Sequence, residues 1–183
     1  MLRPLVVALC FLSLLAVARV ERGSLRAAEP AVIRPTAPLH LLEGKDLSQK
    51  WYTWLTDAGH EDPRRVFSLS PDGVLHISGD GYGGLTTRDE YADYYLVMEY
   101  RWGGKTWGDR EHNARDSGLL LHCQGPDGNF DSTPEKRGAW MNSLECQIIE
   151  GGVGDILVLD GKDAEGNKLM ATATCHVKRD ADD

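Results

Sequence analysis

Positive charge is what this sequence has too little of. Twenty Lys and Arg stand against 28 Asp and Glu, a net charge of -8 at pH 7, so the unspecific attraction to phosphate that drives most nucleic-acid binding is missing. DNA and RNA are thereby excluded as expected partners. Long apolar runs are also absent: the one uncharged stretch, Leu5 to Ala18, is shorter than the roughly 20 residues that span a bilayer. Cysteine is sparse, with four in the chain. No C-x-x-C or Cys/His spacing suggests zinc, so no metal site is expected from it. A convincing long amphipathic helix is lacking as well, which favours an antiparallel sandwich over a βαβ fold.

What the chain does have is turns and short β-prone runs. Its 183 residues suit one domain, and 42% hydrophobic with 26% charged residues is a globular balance. The 20 Gly and 8 Pro punctuate it often enough to favour β structure. At the N-terminus Arg3, the apolar run and the small-x-small triplet Ala16-Val17-Ala18 read as a secretory signal over residues 1–18. The expected product is an exported protein, periplasmic or extracellular, with no stable membrane span after cleavage. Residues 19–38, with Pro30, Pro35 and Pro38, read as a linker, and the domain is expected over residues 39–183. Removal of the signal leaves Cys123, Cys146 and Cys175, an odd number with room for at most one disulfide.

Strands are expected at Val74–Ser78, Tyr94–Trp102, Gly118–Cys123, Ser143–Glu150, Ile156–Leu159 and Met170–Val177, with at most one helical turn at Arg88–Tyr94. Side chains alternate across a strand. Parity therefore gathers Leu96, Met98, Tyr100, Leu119, Leu121, Leu144 and Ile148 into an expected core. The opposite face carries Glu99, Arg101, His122, Glu145 and Gln147, a mixture of acid, base and amide that serves either as a polar site or as an ordinary solvated face. Two long loops flank it, Gly103–Asp116 and Gln124–Trp140. Their Trp107 and Trp140 are suited equally to stacking on a sugar ring and to packing beneath the loops.

Several runs occur in an order that resembles a known family. They are Leu42-Glu43-Gly44-Lys45-Asp46-Leu47, Asp72-Gly73-Val74-Leu75, Gly84-Leu85-Thr86-Thr87, Tyr94 to Trp102, Asp116-Ser117-Gly118-Leu119-Leu120-Leu121, and Leu144-Glu145-Cys146-Gln147-Ile148-Ile149. The set is similar to the 3-keto-disaccharide hydrolase domain family, also described as 3-keto-glucoside lyases and 3-keto-glucal hydratases. The resemblance implies a concanavalin-like jelly-roll, an antiparallel β-sandwich, and an exported enzyme acting on oxidised glucosides. Two features depart from the family's pattern: Asp116 stands where an Asn is usual, and Ser143 replaces an aromatic. Such domains also continue into further strands, so a chain ending at Ala181-Asp182-Asp183 reads as a C-terminally truncated member.

The chemistry implied is elimination followed by hydration. A ketone at C3 acidifies the C2 hydrogen; a base removes it, the group on C1 departs, and water adds back. That requires a base, an acid and a group for the enolate oxygen. Glu145 or His122 is the expected base or acid, and Arg101 the expected oxyanion stabiliser. Glu99, Gln147, Asp116, Trp107 and Trp140 are the expected contacts to a carbohydrate substrate. Two other functions fit the same sandwich: direct glycoside hydrolysis, with Glu99 and Glu145 as paired carboxylates, and sugar binding without turnover. Asp160-Gly161, Asp163 and Gly166-Asn167 read as turn chemistry rather than as a calcium site with Asp155, and no cofactor follows from the residues.

Overall fold

The computed structural model describes residues 31–44 and 46–172. The expected signal, residues 19–30 of the expected linker, and most of the Met170–Val177 run with Cys175 lie outside the described residues. Among the described residues there are seven strands: β1 Trp51–Leu55, β2 Phe67–Leu69, β3 Leu75–Ile77, β4 Gly83–Thr87, β5 Gly118–Gln124, β6 Asn142–Gln147 and β7 Ile156–Leu159. They form three antiparallel sheets, β1 with β4, β2 with β3, and β5-β6-β7. Among the described residues the only helical elements are two 3₁₀ turns, Leu47–Gln49 and Gly108–Arg110. The all-β, antiparallel expectation therefore holds.

The β5-β6-β7 meander follows the sequence closely. Leu119 faces Cys146 and Leu121 faces Leu144 across the ladder, as their parity requires, and all four are half-buried. Cys123 and Cys146 are both free thiols. The ladder also runs past the end of the assigned strands: Ile148 N–H donates to Ser117 O and Glu150 N–H to Arg115 O, both at 3.0 Å. β1 and β4 pair from Trp51 opposite Thr87 to Leu55 opposite Gly83. A Cβ at Gly83 would stand 1.9 Å from the Trp54 carbonyl oxygen, so close approach of these backbones requires glycine there.

The expected core is corrected in one large part. Tyr94–Trp102 is not a strand: no ladder partner stands beside it among the described residues. Leu96, Met98 and Tyr100 are exposed, at 40%, 44% and 44% of their surface. Alternation gives a segment the propensity to pair, but the hydrogen-bonding groups of a strand must be met by a neighbour. The apolar residues buried below a tenth exposure are instead Leu55, Val66 and Leu159. Polar groups are buried with them. Asn129 donates to the carbonyls of Gln124 and Lys162 and accepts from Asn142 N–H, while Asn142 accepts from Gly161 N–H. These bonds tie β5, β6 and the segment after β7 together and satisfy most of the buried amide groups, Asn142 Nδ2 alone among them having no partner.

Within the stretch read as linker, Ile33 bonds Glu90 and Ala92 through its backbone, and Arg34 pairs with Asp93 at 2.9 Å. No helical turn forms at Arg88–Tyr94; Tyr91 bridges to Ile33 instead.

Candidate functional site

Glu145 lies at the centre of the β5-β6 pair, opposite Leu120, and Gln147 lies opposite Gly118. Alternation places Glu145, Gln147, Gly118 and Leu120 on one face, and the continued ladder carries Asp116 onto it too. Gly118 is what allows the carboxyl to lie flat across the neighbouring strand. A Cβ at that position would sit 1.8 Å from Glu145 Oε1.

The electrostatics follow from this packing. Burial pushes the Glu145 carboxyl above its usual range, and the nearby Asp116 charge pushes it further in the same direction. Asp116 is itself fixed by Arg110, whose Nη2 donates to Asp116 Oδ2 and to Ala114 O, each at 2.9 Å. The site thus pairs a carboxylate held by a guanidinium with a half-buried carboxyl that keeps its proton to higher pH than a free glutamate.

Arg115 and Glu150 fasten the loop that brings Asp116 in. Arg115 N–H donates to Glu150 Oε2 at 2.7 Å, and the guanidinium donates to Glu150 Oε1 and to the Gly103 carbonyl. Those bonds hold the Glu150 carboxyl down at about 2. Farther along the loop, Trp107 donates to Ser78 O at 2.9 Å, and Tyr82 donates to Asp109 at 2.7 Å. Sequence reasoning did not single out Arg110, Gly118 or the Arg115–Glu150 link for the site. Counting back by two from Leu120 through Gly118 to Asp116 was the available signal.

The other expected site residues are placed as follows. His122 sits at the register shift between Leu121 and Gln124, with φ +55°, so the β-bulge removes it from simple alternation. It is exposed. Glu99 and Arg101 are exposed on the unpaired segment and form no ion pair among the described residues. Gln147 Oε1 accepts from the N–H groups of Ile148 and Ile149, so that oxygen is engaged in shaping the strand's exit. Trp107 is half-buried with Lys105 Nζ 3.2 Å from its ring centroid, whereas Trp140 is 37% exposed and meets Tyr82 edge-on at 6.3 Å. Of the eight residues, the structure brings Glu145, Gln147 and Asp116 onto one face.

The profile of the 3-keto-alpha-glucoside-1,2-lyase-like domain family matches residues 38–175. The chain belongs to this family. Membership supports a carbohydrate-active role, of the kind that modifies its sugar, and agrees with the ordered motifs of the sequence. No curated protein and no solved structure matches the chain. Among the described residues no helix is long and apolar enough to cross a membrane, and no group of three or more His, Cys, Asp or Glu is placed to hold a metal ion.

Proposed function

We propose that this 3-keto-alpha-glucoside-1,2-lyase-like domain cleaves 3-keto-glucosides by elimination and hydration, with Glu145 as the group that moves the C2 proton. The observation that carries this reading is the Glu145 carboxyl, raised by burial and by Asp116. A raised carboxyl, once ionised, is a stronger base than an ordinary glutamate, and near neutrality a larger fraction of it carries a proton that it can return.

The steps balance. Glu145 takes the proton from C2, the C–H electron pair forms a C2–C3 double bond, and the ketone's π pair moves onto its oxygen to give the enolate. Collapse of the enolate restores the ketone, forms the C1–C2 double bond and breaks the bond from C1 to the leaving oxygen, which departs and takes up a proton. Water then adds its hydroxyl to C1 and a proton to C2, giving the free 3-keto sugar. The net change is hydrolysis. Asp116, held by Arg110, acts as a positioning residue, keeping the Glu145 carboxyl high. His122 and Arg101 remain the proposed second proton carrier and enolate stabiliser, on the chemistry of their side chains.

The same proposal takes the protein to be exported, with cleavage after Ala18 on the strength of the apolar run and Ala16-Val17-Ala18, and the finer fold to be a concanavalin-like jelly roll. The decisive assay compares release of the leaving alcohol from a 3-keto-glucoside and from the unoxidised glucoside. Release from the keto substrate alone is expected, because only the ketone acidifies C2. Equal rates on both would end the elimination reading in favour of direct glycoside hydrolysis, and binding without product would favour a lectin-like module.

A further inference from the structure

A cleft of about 660 Å³ opens beside β1 and β2. Neither Glu145 nor Asp116 lines it. Its size is that of small-ligand sites, which run from about 300 to 1,000 Å³. Trp51, Tyr52 and Phe67 give it aromatic surface. Trp51 is fixed by its indole N–H, which donates to Leu41 O at 2.8 Å.

The charges in this cleft are unequally answered. Each of its three carboxylates has internal partners. Asp46 accepts from Ser48, through its N–H and hydroxyl, and Asp62 accepts from Val66 N–H and Phe67 N–H. Asp127 accepts from the Tyr52 hydroxyl at 3.1 Å and lies 3.5 Å from His60 Nε2. His60 in turn donates from Nδ1 to Thr53 O at 2.9 Å, the direction a carbonyl dictates. Burial, with Asp127 beside it, pushes the Tyr52 hydroxyl up to about 12, so it persists as a donor.

The two guanidiniums have no such answer. Arg88 donates from Nε to Ser48 O at 2.7 Å, and its guanidinium lies 5.9 Å from the Tyr52 ring centroid. Neither Arg88 nor Arg65 pairs with a carboxylate among the described residues. In a chain of net charge -8, the two arginines stand against three aspartates in this aromatic cleft, and what sets them apart is that no carboxylate among the described residues is paired with either guanidinium. Guanidiniums recognise carboxylates through paired N–H donors, and indole or phenol rings suit the flat apolar face of a sugar.

We propose that this cleft binds a sugar acid, a pyranose carrying a carboxylate, with Arg88 and Arg65 on the carboxylate and the aromatic side chains against the ring. The site is separate from the elimination chemistry and does not depend on it. The experiment is an NMR titration of the full chain with glucuronate, glucose and inorganic phosphate, following the Trp51 indole N–H. Glucuronate is expected to bind at least about tenfold more tightly than either of the others, since the carboxylate adds a charge-assisted contact and the ring adds stacking. Glucose equal to glucuronate would overturn the role of the arginines; phosphate equal to glucuronate would overturn the role of the ring; no binding would overturn the site. Arg88→Gln should weaken glucuronate about tenfold and leave glucose unchanged, and Arg65→Gln, on an exposed residue, repeats that test should the first variant melt early. Glu145→Gln should leave glucuronate binding intact, so failure of the elimination reading and failure of this site are told apart.

Discussion

Glu145 and Glu150 stand five residues apart on one stretch of chain, and their surroundings drive their carboxyls in opposite directions. Glu145 is half-buried beside another acid and is pushed up. Glu150 receives two donors from Arg115 and is held down at about 2. Residue type is the same at both positions; the difference comes from what the facing strand presents. Beside Glu145, on the same face, the neighbouring strand supplies Gly118 and Asp116, and opposite Glu150 it supplies Arg115. One carboxyl is thereby raised and the other tied to an arginine, and the tied one holds the loop that delivers Asp116 to its neighbour.

The largest effect should come from Glu145 itself. Glu145→Gln keeps the shape and removes the titrating group, so turnover of a 3-keto-glucoside should fall about 10²-fold or more, with little change in substrate affinity. A melting curve close to the parent's would show that the loss is chemical. Next is Gly118→Ala, in which the new methyl occupies the space of the carboxyl. It should destabilise the fold by about 1–3 kcal/mol in urea unfolding and should move Glu145 toward water, lowering its carboxyl.

Asp116→Asn sharpens the comparison by removing only the like charge. The Glu145 carboxyl should fall but stay above its ordinary value, because burial is the larger of its two causes. The acid limb of kcat/KM should shift to lower pH accordingly. The smallest effect is expected from Glu150→Gln, and it is a matter of pH. With the folded carboxyl at about 2 against an ordinary 4.5, the native state binds fewer protons than the unfolded state. Its stabilisation is present above 4.5 and lost as pH falls through about 2. Glu145 acts in the reverse sense, its contribution declining as pH rises through its raised value. Urea midpoints between pH 2 and 5 should lose part of their slope in Glu150→Gln.

How much of this was legible in the sequence depends on where each contact partner lay. β5, β6 and β7 were readable because each is a short β-prone run that finds its partner nearby in the chain, and parity put Leu121 and Leu144 on one face, where the ladder sets them opposite each other. Glu145 was readable for the same reason. The run Tyr94–Trp102 alternates just as well, but no neighbouring strand meets it among the described residues, and Tyr95 is 93% exposed. β1 and β4 escaped notice because Trp51-Tyr52-Thr53-Trp54-Leu55 has no clean polar alternation and Gly83-Gly84 looks like a turn. The state of Glu145 was beyond sequence reasoning, since it depends on a neighbour 29 positions away in the numbering and on a glycine's missing Cβ. His122 was misleading to parity because one bulge changes the face of everything beyond it.

The most direct measurement is a carboxyl ¹³C titration of the Glu145 and Glu150 side chains in the same sample, repeated in Asp116→Asn. Glu145 should titrate above 4.5 and Glu150 near 2, with the Glu145 midpoint falling in the variant while Glu150 stays where it is. A Glu145 midpoint at or below 4.5 in the parent protein, or one indifferent to Asp116, would contradict the division of roles between the two glutamates.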